Sequence, residues 1–98
     1  MEIVIRQLRM DSDGRLRVQP IVTRPTDYQY IWRDATNVAW DEACGEFYAR
    51  DAITPLEQLK RIAGAVTREY GDSLTFTSAT AFVDLPADLI AVLHKSGV

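Results

Sequence analysis

The segment from Thr54 to Asp72 constrains the fold most, because its start, its periodicity and its end all indicate a single helix. Thr54 can cap the first turn, and a proline follows at the first helical position, where its missing N–H would be unpaired anyway. Gly71 can adopt the left-handed conformation that ends helices. Apolar residues recur every three or four positions between these ends, as in a helix with one buried face. They are Leu56, Leu59, Ala63, Val66 and Tyr70, flanked by Ile62.

The opposite face of this helix is predicted to carry Arg61, Gly64, Ala65 and Arg68. Two small residues between two arginines would let another surface approach closely, which makes this face a candidate interface. A solvated face with one poor helix former is the alternative, since a glycine inside a helix costs about 1 kcal/mol relative to alanine.

The N-terminal part of the chain predicts a β-hairpin with strands at residues 2–10 and 15–23. If Asp11 pairs with Arg15, the loop at residues 12–14 has three residues and ends in a glycine, which is a common hairpin form. The same register pairs Met10 with Leu16, Leu8 with Val18, Arg9 with Arg17, and Gln7 with Gln19.

The outer face of this hairpin is expected to be polar near the turn and apolar at the open end. Ile3, Ile5 and Ile21 lie at that end, so another segment or another subunit is expected to cover it. Pro20 indicates an edge or a bulge at this point of the second strand.

Three further strands are predicted, at Tyr28 to Arg33, Val38 to Glu42 and Glu46 to Ala49, with the first turn at residues 34–37. Pairing Asp34 with Val38, and Glu42 with Glu46, would align aromatic side chains across all three strands. We call this set the aromatic row and treat it as the candidate site for a ligand or partner. The alternative is that it forms the core under the long helix. The row consists of Tyr30, Trp32, Trp40 and Tyr48.

After the long helix, we predict a strand at residues 73–78, a short extension of the sheet at residues 82–83, and a second helix at residues 86–95. The element order is β-β-β-β-(β)-α-β-α. This order favours an α+β fold: a mostly antiparallel sheet of five to six strands, beginning as a β-meander, with two helices on one face. We expect residues 1–98 to form a single domain.

Composition and charge narrow the class of protein. The 98 residues are 47% apolar and 26% charged, as in ordinary globular chains, and no apolar run is long enough to span a membrane. The start of the chain lacks the features of a signal peptide, and a single cysteine fits a reducing cytoplasm. Residues 34–58 hold six acidic residues and only one base, Arg50. This acidic middle argues against nucleic-acid binding. The contrast between this acidic middle and the mildly basic residues 1–33 would help subunits to pair head to tail. The alternative is that this contrast has no role.

No motif specifies a reaction, a metal site or a cofactor. Cys44 and His94 are the only cysteine and histidine, which are too few ligands for a zinc site. They could form a catalytic nucleophile–base pair only if the fold brings them into contact. Asp11 and Asp13 resemble the start of a calcium loop, but position twelve would be Val22, so a plain turn is the better interpretation. No glycine-rich phosphate loop and no nucleophile elbow are present.

The acidic residues of the middle segment are the other chemical candidates. Paired carboxylates can do acid–base work or hold a hard cation, but on a hairpin they usually form a solvated edge. They are Asp41, Glu42, Glu46 and Asp51.

A resemblance to a known group of proteins extends over residues 28–85. The stretches that carry it are Tyr30-Ile31-Trp32-Arg33, Trp40-Asp41, Glu69-Tyr70-Gly71 and Leu74-Thr75-Phe76-Thr77. In these stretches the chain resembles small uncharacterised α+β proteins encoded by the mobile gene cassettes of bacterial integrons. Proteins of this group are often dimeric, so the resemblance implies a dimer. It transfers no functional residue, because the matching pattern is aromatic and structural.

These observations predict a cytoplasmic, non-enzymatic binding module that acts as a homodimer, uses no cofactor, and binds a small ligand or a protein partner. One alternative is a small hydrolase or isomerase with Asp41, Glu42 or Glu46 beside an aromatic pocket. Another is a regulatory, antitoxin-like partner protein.

Overall fold

The computed structural model describes residues 1–35, 37–51 and 53–98. These described residues form six strands, one 3₁₀ helix and two α-helices. The strands are β1 (Glu2–Met10), β2 (Leu16–Pro20), β3 (Val38–Asp41), β4 (Glu46–Ala49), β5 (Ser73–Thr75) and β6 (Ala81–Val83). The helices are the 3₁₀ helix Tyr28–Arg33, α1 (Pro55–Tyr70) and α2 (Ala87–His94).

All six strands join one mixed sheet, which confirms the predicted α+β class. The order is β3-β4-β2-β1-β5, and β6 also pairs with β1. The three pairings among β1, β2, β3 and β4 are antiparallel, whereas β5 and β6 run parallel to β1. Residues from both α-helices join the sheet in a single hydrophobic core. None of the helices within the described residues is long and apolar enough to cross a membrane.

The first hairpin has the predicted turn and register near the turn. The Asp11 N–H donates to the Arg15 carbonyl at 2.9 Å, and Leu8 lies opposite Val18. The second strand is shorter than predicted and ends at Pro20.

The prediction that the outer face of this hairpin is apolar at its open end is wrong. Ile5 pairs with Pro20 and Gln7 with Gln19, so Arg6 is an extra residue in β1 at the level of the predicted bulge. An extra residue reverses the side-chain alternation beyond it. Ile3 and Ile5 therefore point into the core, where they are 2% and 0% exposed.

Helix α1 begins and ends as predicted. The Thr54 hydroxyl accepts a hydrogen bond from the Glu57 N–H at 3.3 Å, and Gly71 has a φ of 70° at the C-terminus. The buried face, however, is rotated from the predicted stripe and contains Gln58, Leu59, Ile62, Ala65 and Val66.

Ala65 therefore does not belong to an outer surface of α1. It is fully buried because the sheet packs against the side of the helix that includes positions 58, 62 and 65. The two arginines of the predicted interface do lie at the surface, where Arg61 pairs with Asp51 and Arg68 pairs with Asp34.

The segment at residues 28–33 is a 3₁₀ helix, and the predicted strand there is wrong. Its aromatic residues alternate like a strand, but the side chains that enter the core are Tyr28 and Ile31, three residues apart. A repeat of three matches the 3₁₀ period, and burial of these two side chains outweighs the strand propensity. Thr36, in the turn predicted at residues 34–37, lies outside the described residues.

The register between β3 and β4 also differs from the prediction by one residue. Asp41 pairs with Glu46, so Trp40 lies opposite Phe47. The Asp41 side chain accepts hydrogen bonds from the Ala43 and Cys44 N–H groups, which closes a longer turn than we predicted.

Candidate functional site

The four residues of the aromatic row do not lie together. Trp32 is 53% exposed on the 3₁₀ helix, and the ring of Tyr30 lies 4.1 Å from the Arg33 guanidinium. Trp40 pairs with Phe47, and Tyr48 is the next residue of β4. Tyr48 therefore points to the opposite face of the sheet from Trp40. The row depended on a strand at residues 28–33 and on the incorrect register, so it is not formed.

Trp40 instead packs in a different aromatic cluster within the core. The ring of Tyr28 lies 4.9 Å from Trp40, 5.0 Å from Phe47 and 5.2 Å from Tyr70. The Tyr70 hydroxyl donates to the Asp27 carbonyl at 2.7 Å, and burial raises the pKa of Tyr70 to about 12. The Tyr70 hydroxyl thus has a hydrogen-bond partner. Trp40 is partly buried against the core, which is what the alternative interpretation of the aromatic row expected for this residue.

The opposite face of the sheet carries a network of ion pairs. The Arg9 guanidinium donates two hydrogen bonds to Glu46, at 2.8 and 2.7 Å, and Glu46 is only 3% exposed. Arg17 donates to Asp11 at 2.8 Å and to Asp41 at 3.0 Å. We call these five residues the ion network. The Arg17 guanidinium also lies 4.3 Å from the centre of the Tyr48 ring.

The ion network holds its aspartates in the charged form. The Cys44 N–H and the Arg17 guanidinium lower the pKa of Asp41. Burial raises the pKa of Asp11, but hydrogen bonds from Arg17 and from the Arg15 and Asp13 N–H groups outweigh it, so this pKa is also lowered. A general acid at neutral pH needs a raised pKa, so these two carboxylates are poorly suited to that role.

The other chemical candidates are separated or already engaged. Cys44 is exposed in the β3–β4 turn, whereas His94 packs against Phe76 and Phe82, with ring centres 5.3 and 5.1 Å apart. Asp11 closes its own turn by accepting from the Asp13 and Arg15 N–H groups, as a plain turn would. Among the described residues, no group of three histidine, cysteine or acidic side chains is placed to hold a metal ion.

A cleft of about 310 Å³ lies between the first hairpin and the start of α1, and we call it the hairpin–helix cleft. One side is the hairpin turn, the other is the segment after β4, and Gln58 of α1 lies between them. The residues that line it are Asp13, Gly14, Arg15, Arg50, Asp51, Ile53 and Gln58.

Gln58 fixes the two sides of the cleft relative to each other. Its side-chain oxygen accepts from the Leu16 N–H at 2.8 Å, and its side-chain nitrogen donates to the Ile53 carbonyl at 2.8 Å. The residue is 2% exposed; its bond to Leu16 is buried and its bond to Ile53 is partly buried. A buried amide with both ends engaged makes the cleft a pre-formed feature of the fold.

Arginines dominate the charge around the cleft. Arg15 pairs with Asp13 at 3.6 Å, and both side chains are exposed. The Asn37 amide and the Arg61 guanidinium both donate to Asp51, and they lower its pKa. The Arg50 side chain is exposed, and it makes no hydrogen bond or ion pair with the residues that the structure describes.

Sequence reasoning missed the cleft, although one signal was available. Arg50 is the only base in the acidic segment at residues 34–58, and a single cation in such a segment is a candidate contact for an anion. Gln58 gave no signal, because a glutamine on a helix predicts a solvated position.

No protein-family model matches the chain, and no curated protein matches it. A solved structure that is similar to the chain is an integron cassette protein, Hfx_Cass5, from the mobile metagenome of the North West Arm sewage outfall. The two are 23% identical, the match covers 99% of this chain and 96% of that one, and the TM-score is 0.44. The chain therefore resembles an integron cassette protein, as its sequence predicted.

Proposed function

We propose that this chain is a binding module for a small molecule, and that the hairpin–helix cleft is its binding site. The observation that carries the proposal is a cleft of about 310 Å³ whose two sides are joined by the buried side chain of Gln58. Ligand sites in proteins are commonly pre-formed clefts of about 300–1,000 Å³. A pre-formed cleft saves the free energy of ordering its walls when the ligand binds.

The contacts of the carboxylates favour binding over catalysis. Asp41 and Glu46, two of the three candidate acids in the hydrolase or isomerase alternative, each accept from an arginine of the ion network. The third candidate, Glu42, lies in the exposed β3–β4 turn and accepts a hydrogen bond from the Trp40 ring N–H at 2.6 Å. None of the three lines the hairpin–helix cleft.

An NMR screen with a chemically mixed set of small fragments tests the proposal. We expect some fragments to shift the backbone amide signals of Gly14, Arg15 and Ile53 in a saturable way. Ile53→Trp, which fills the cleft, should abolish these shifts, whereas Val22→Trp at an exposed apolar position should leave them intact. The proposal fails if no fragment shifts the cleft amides, or if Ile53→Trp binds as well as the wild type.

The homodimer remains a prediction. At the predicted interface, Arg61 and Arg68 lie at the surface in ion pairs, and the Arg68 guanidinium lies over Gly64. Trp32 adds an exposed aromatic side chain of the type that anchors protein partners. Size-exclusion chromatography with light scattering at tens of micromolar should give twice the mass of one chain, and the mass of one chain would contradict the prediction.

A further inference from the structure

We infer that the hairpin–helix cleft takes a small monoanion that presents a carboxylate to Arg50 and Arg15. This inference rests on the proposed function and names the ligand class of the same site. It follows from the charge balance of the cleft, from the free donors of Arg50 and from the weak pairing of Arg15.

The charge balance favours an anion with a single negative charge. The lining itself holds Arg15 and Arg50 against Asp13 and Asp51, so its own charges balance. Arg61, outside the lining, pairs with Asp51, and Arg15 pairs with Asp13, which leaves the positive charge of Arg50 without an opposite partner among the described residues. A monoanion neutralises it, whereas a dianion would leave a negative excess and be repelled by the two aspartates.

Arg50 supplies the principal contact. A guanidinium has five N–H donors in a planar fork, which matches the two oxygens of a carboxylate. Arg50 has no partner among the described residues, and both Asn37 and Arg61 donate to the neighbouring Asp51. The donors of Arg50 are therefore ready for a ligand without the loss of an existing ion pair.

Arg15 can join this contact at low cost. Its ion pair with Asp13 spans 3.6 Å, and the Asp13 side chain is 69% exposed. Exposed pairs of this kind contribute about 0–1 kcal/mol, so a ligand carboxylate can replace Asp13. The first turn of α1, which begins beside the cleft, adds the positive end of a helix dipole.

The cleft also limits the size of the ligand and gives it one apolar contact. Its volume of about 310 Å³ lies at the small end of ligand sites. Ile53 lines the cleft and can pack against a short aliphatic or aromatic group. A compact monocarboxylate fits these features better than a nucleotide or a phosphorylated sugar.

The test is an NMR titration of the labelled protein with butyrate, with butyramide as its uncharged isostere, and with inorganic phosphate. We expect butyrate to shift the Gly14 and Ile53 amide signals at lower concentration than either of the others. Arg50→Gln should weaken butyrate binding by about tenfold, the usual effect of losing a hydrogen bond to a charged group. Arg6→Gln removes the same charge at an exposed position away from the cleft and should change affinity less than twofold.

Several outcomes would overturn the inference while the proposed function survives. They are equal binding of butyramide and butyrate, tighter binding of phosphate, equal effects of Arg50→Gln and Arg6→Gln, or no binding of any probe in a cleft that does bind fragments. If no fragment of any charge shifts the cleft amides, the proposed function itself fails.

Discussion

The two faces of the sheet differ in the contacts that their side chains make, although the same strands contribute to both. On the covered face, Leu8, Val18 and Phe47 are completely buried against the helices. On the open face, the ion network joins arginines to carboxylates, and Arg17 lies over the Tyr48 ring. Phe47 and Tyr48 are consecutive residues of β4, so a single step along the chain separates the two environments.

This difference indicates which face stabilises the fold and which face fixes its charges. Burial of apolar surface is favourable by about 25 cal/mol per Å². A buried ion pair regains in attraction roughly what its charges lose in hydration, so its net contribution is small even though removal of one partner is costly. We therefore expect the covered face to supply most of the stability, and the open face to hold its carboxylates ionised and in place.

The largest predicted effect compares the two neighbours on β4. Phe47→Ala should lower the free energy of unfolding by about 3–5 kcal/mol, because it leaves a cavity in the core. Tyr48→Ala should cost about 0.5–1 kcal/mol, mainly through the lost contact with Arg17. Urea unfolding followed by circular dichroism measures both, and equal losses would show that the two faces contribute alike.

An intermediate effect is expected within the open face. Glu46→Gln should destabilise the protein by about 1–3 kcal/mol, because it leaves the Arg9 guanidinium without its charged partner. Glu42→Gln is the matched control: that carboxylate is exposed, and the amide can still accept from Trp40, so a change below about 0.5 kcal/mol is expected. If the two variants are equally stable, the buried ion pair makes no special contribution.

The smallest effect is a change in pH dependence. Asp11 and Asp41 have pKa values that are lower in the folded chain than in the unfolded chain. Their contribution to stability is therefore complete above the unfolded value of about 3.9 and is lost as the pH falls through the lower folded values. Arg17→Gln removes a shared cause of both shifts, so its free energy of unfolding should fall less than that of the wild type between pH 5 and pH 2.

The control for this pH profile is Arg6→Gln, which changes the net charge equally without touching the ion network. Its profile should run parallel to that of the wild type. Parallel profiles for all three proteins would show that Arg17 does not set the charge state of the two aspartates.

Elements with strong local signals could be predicted from the sequence. The α1 caps at Thr54 and Gly71, and the three-residue hairpin loop ending in Gly14, depend on backbone conformations that neighbouring residues determine. Strand pairing near that loop follows directly, because the loop length sets the register.

Elements whose conformation depends on distant partners could not be predicted. Tyr28 and Ile31 form a 3₁₀ turn because both enter a core that α1 and β4 complete. The extra residue at Arg6 is stable because Ile3 and Ile5 gain burial on the covered face. Neither fact is visible in the alternation of the local sequence.

Local sequence patterns were enough to predict the α+β class, the first hairpin near its turn and the extent of α1. Packing of the whole chain sets which side of α1 is buried, where the aromatic residues lie, and the presence of the cleft. The cleft depends on Gln58 bonding to Leu16, 42 positions away in the chain, and to Ile53. The physical reason is that a local pattern encodes periodicity and capping, whereas burial and hydrogen-bond partners are set by the whole packed chain.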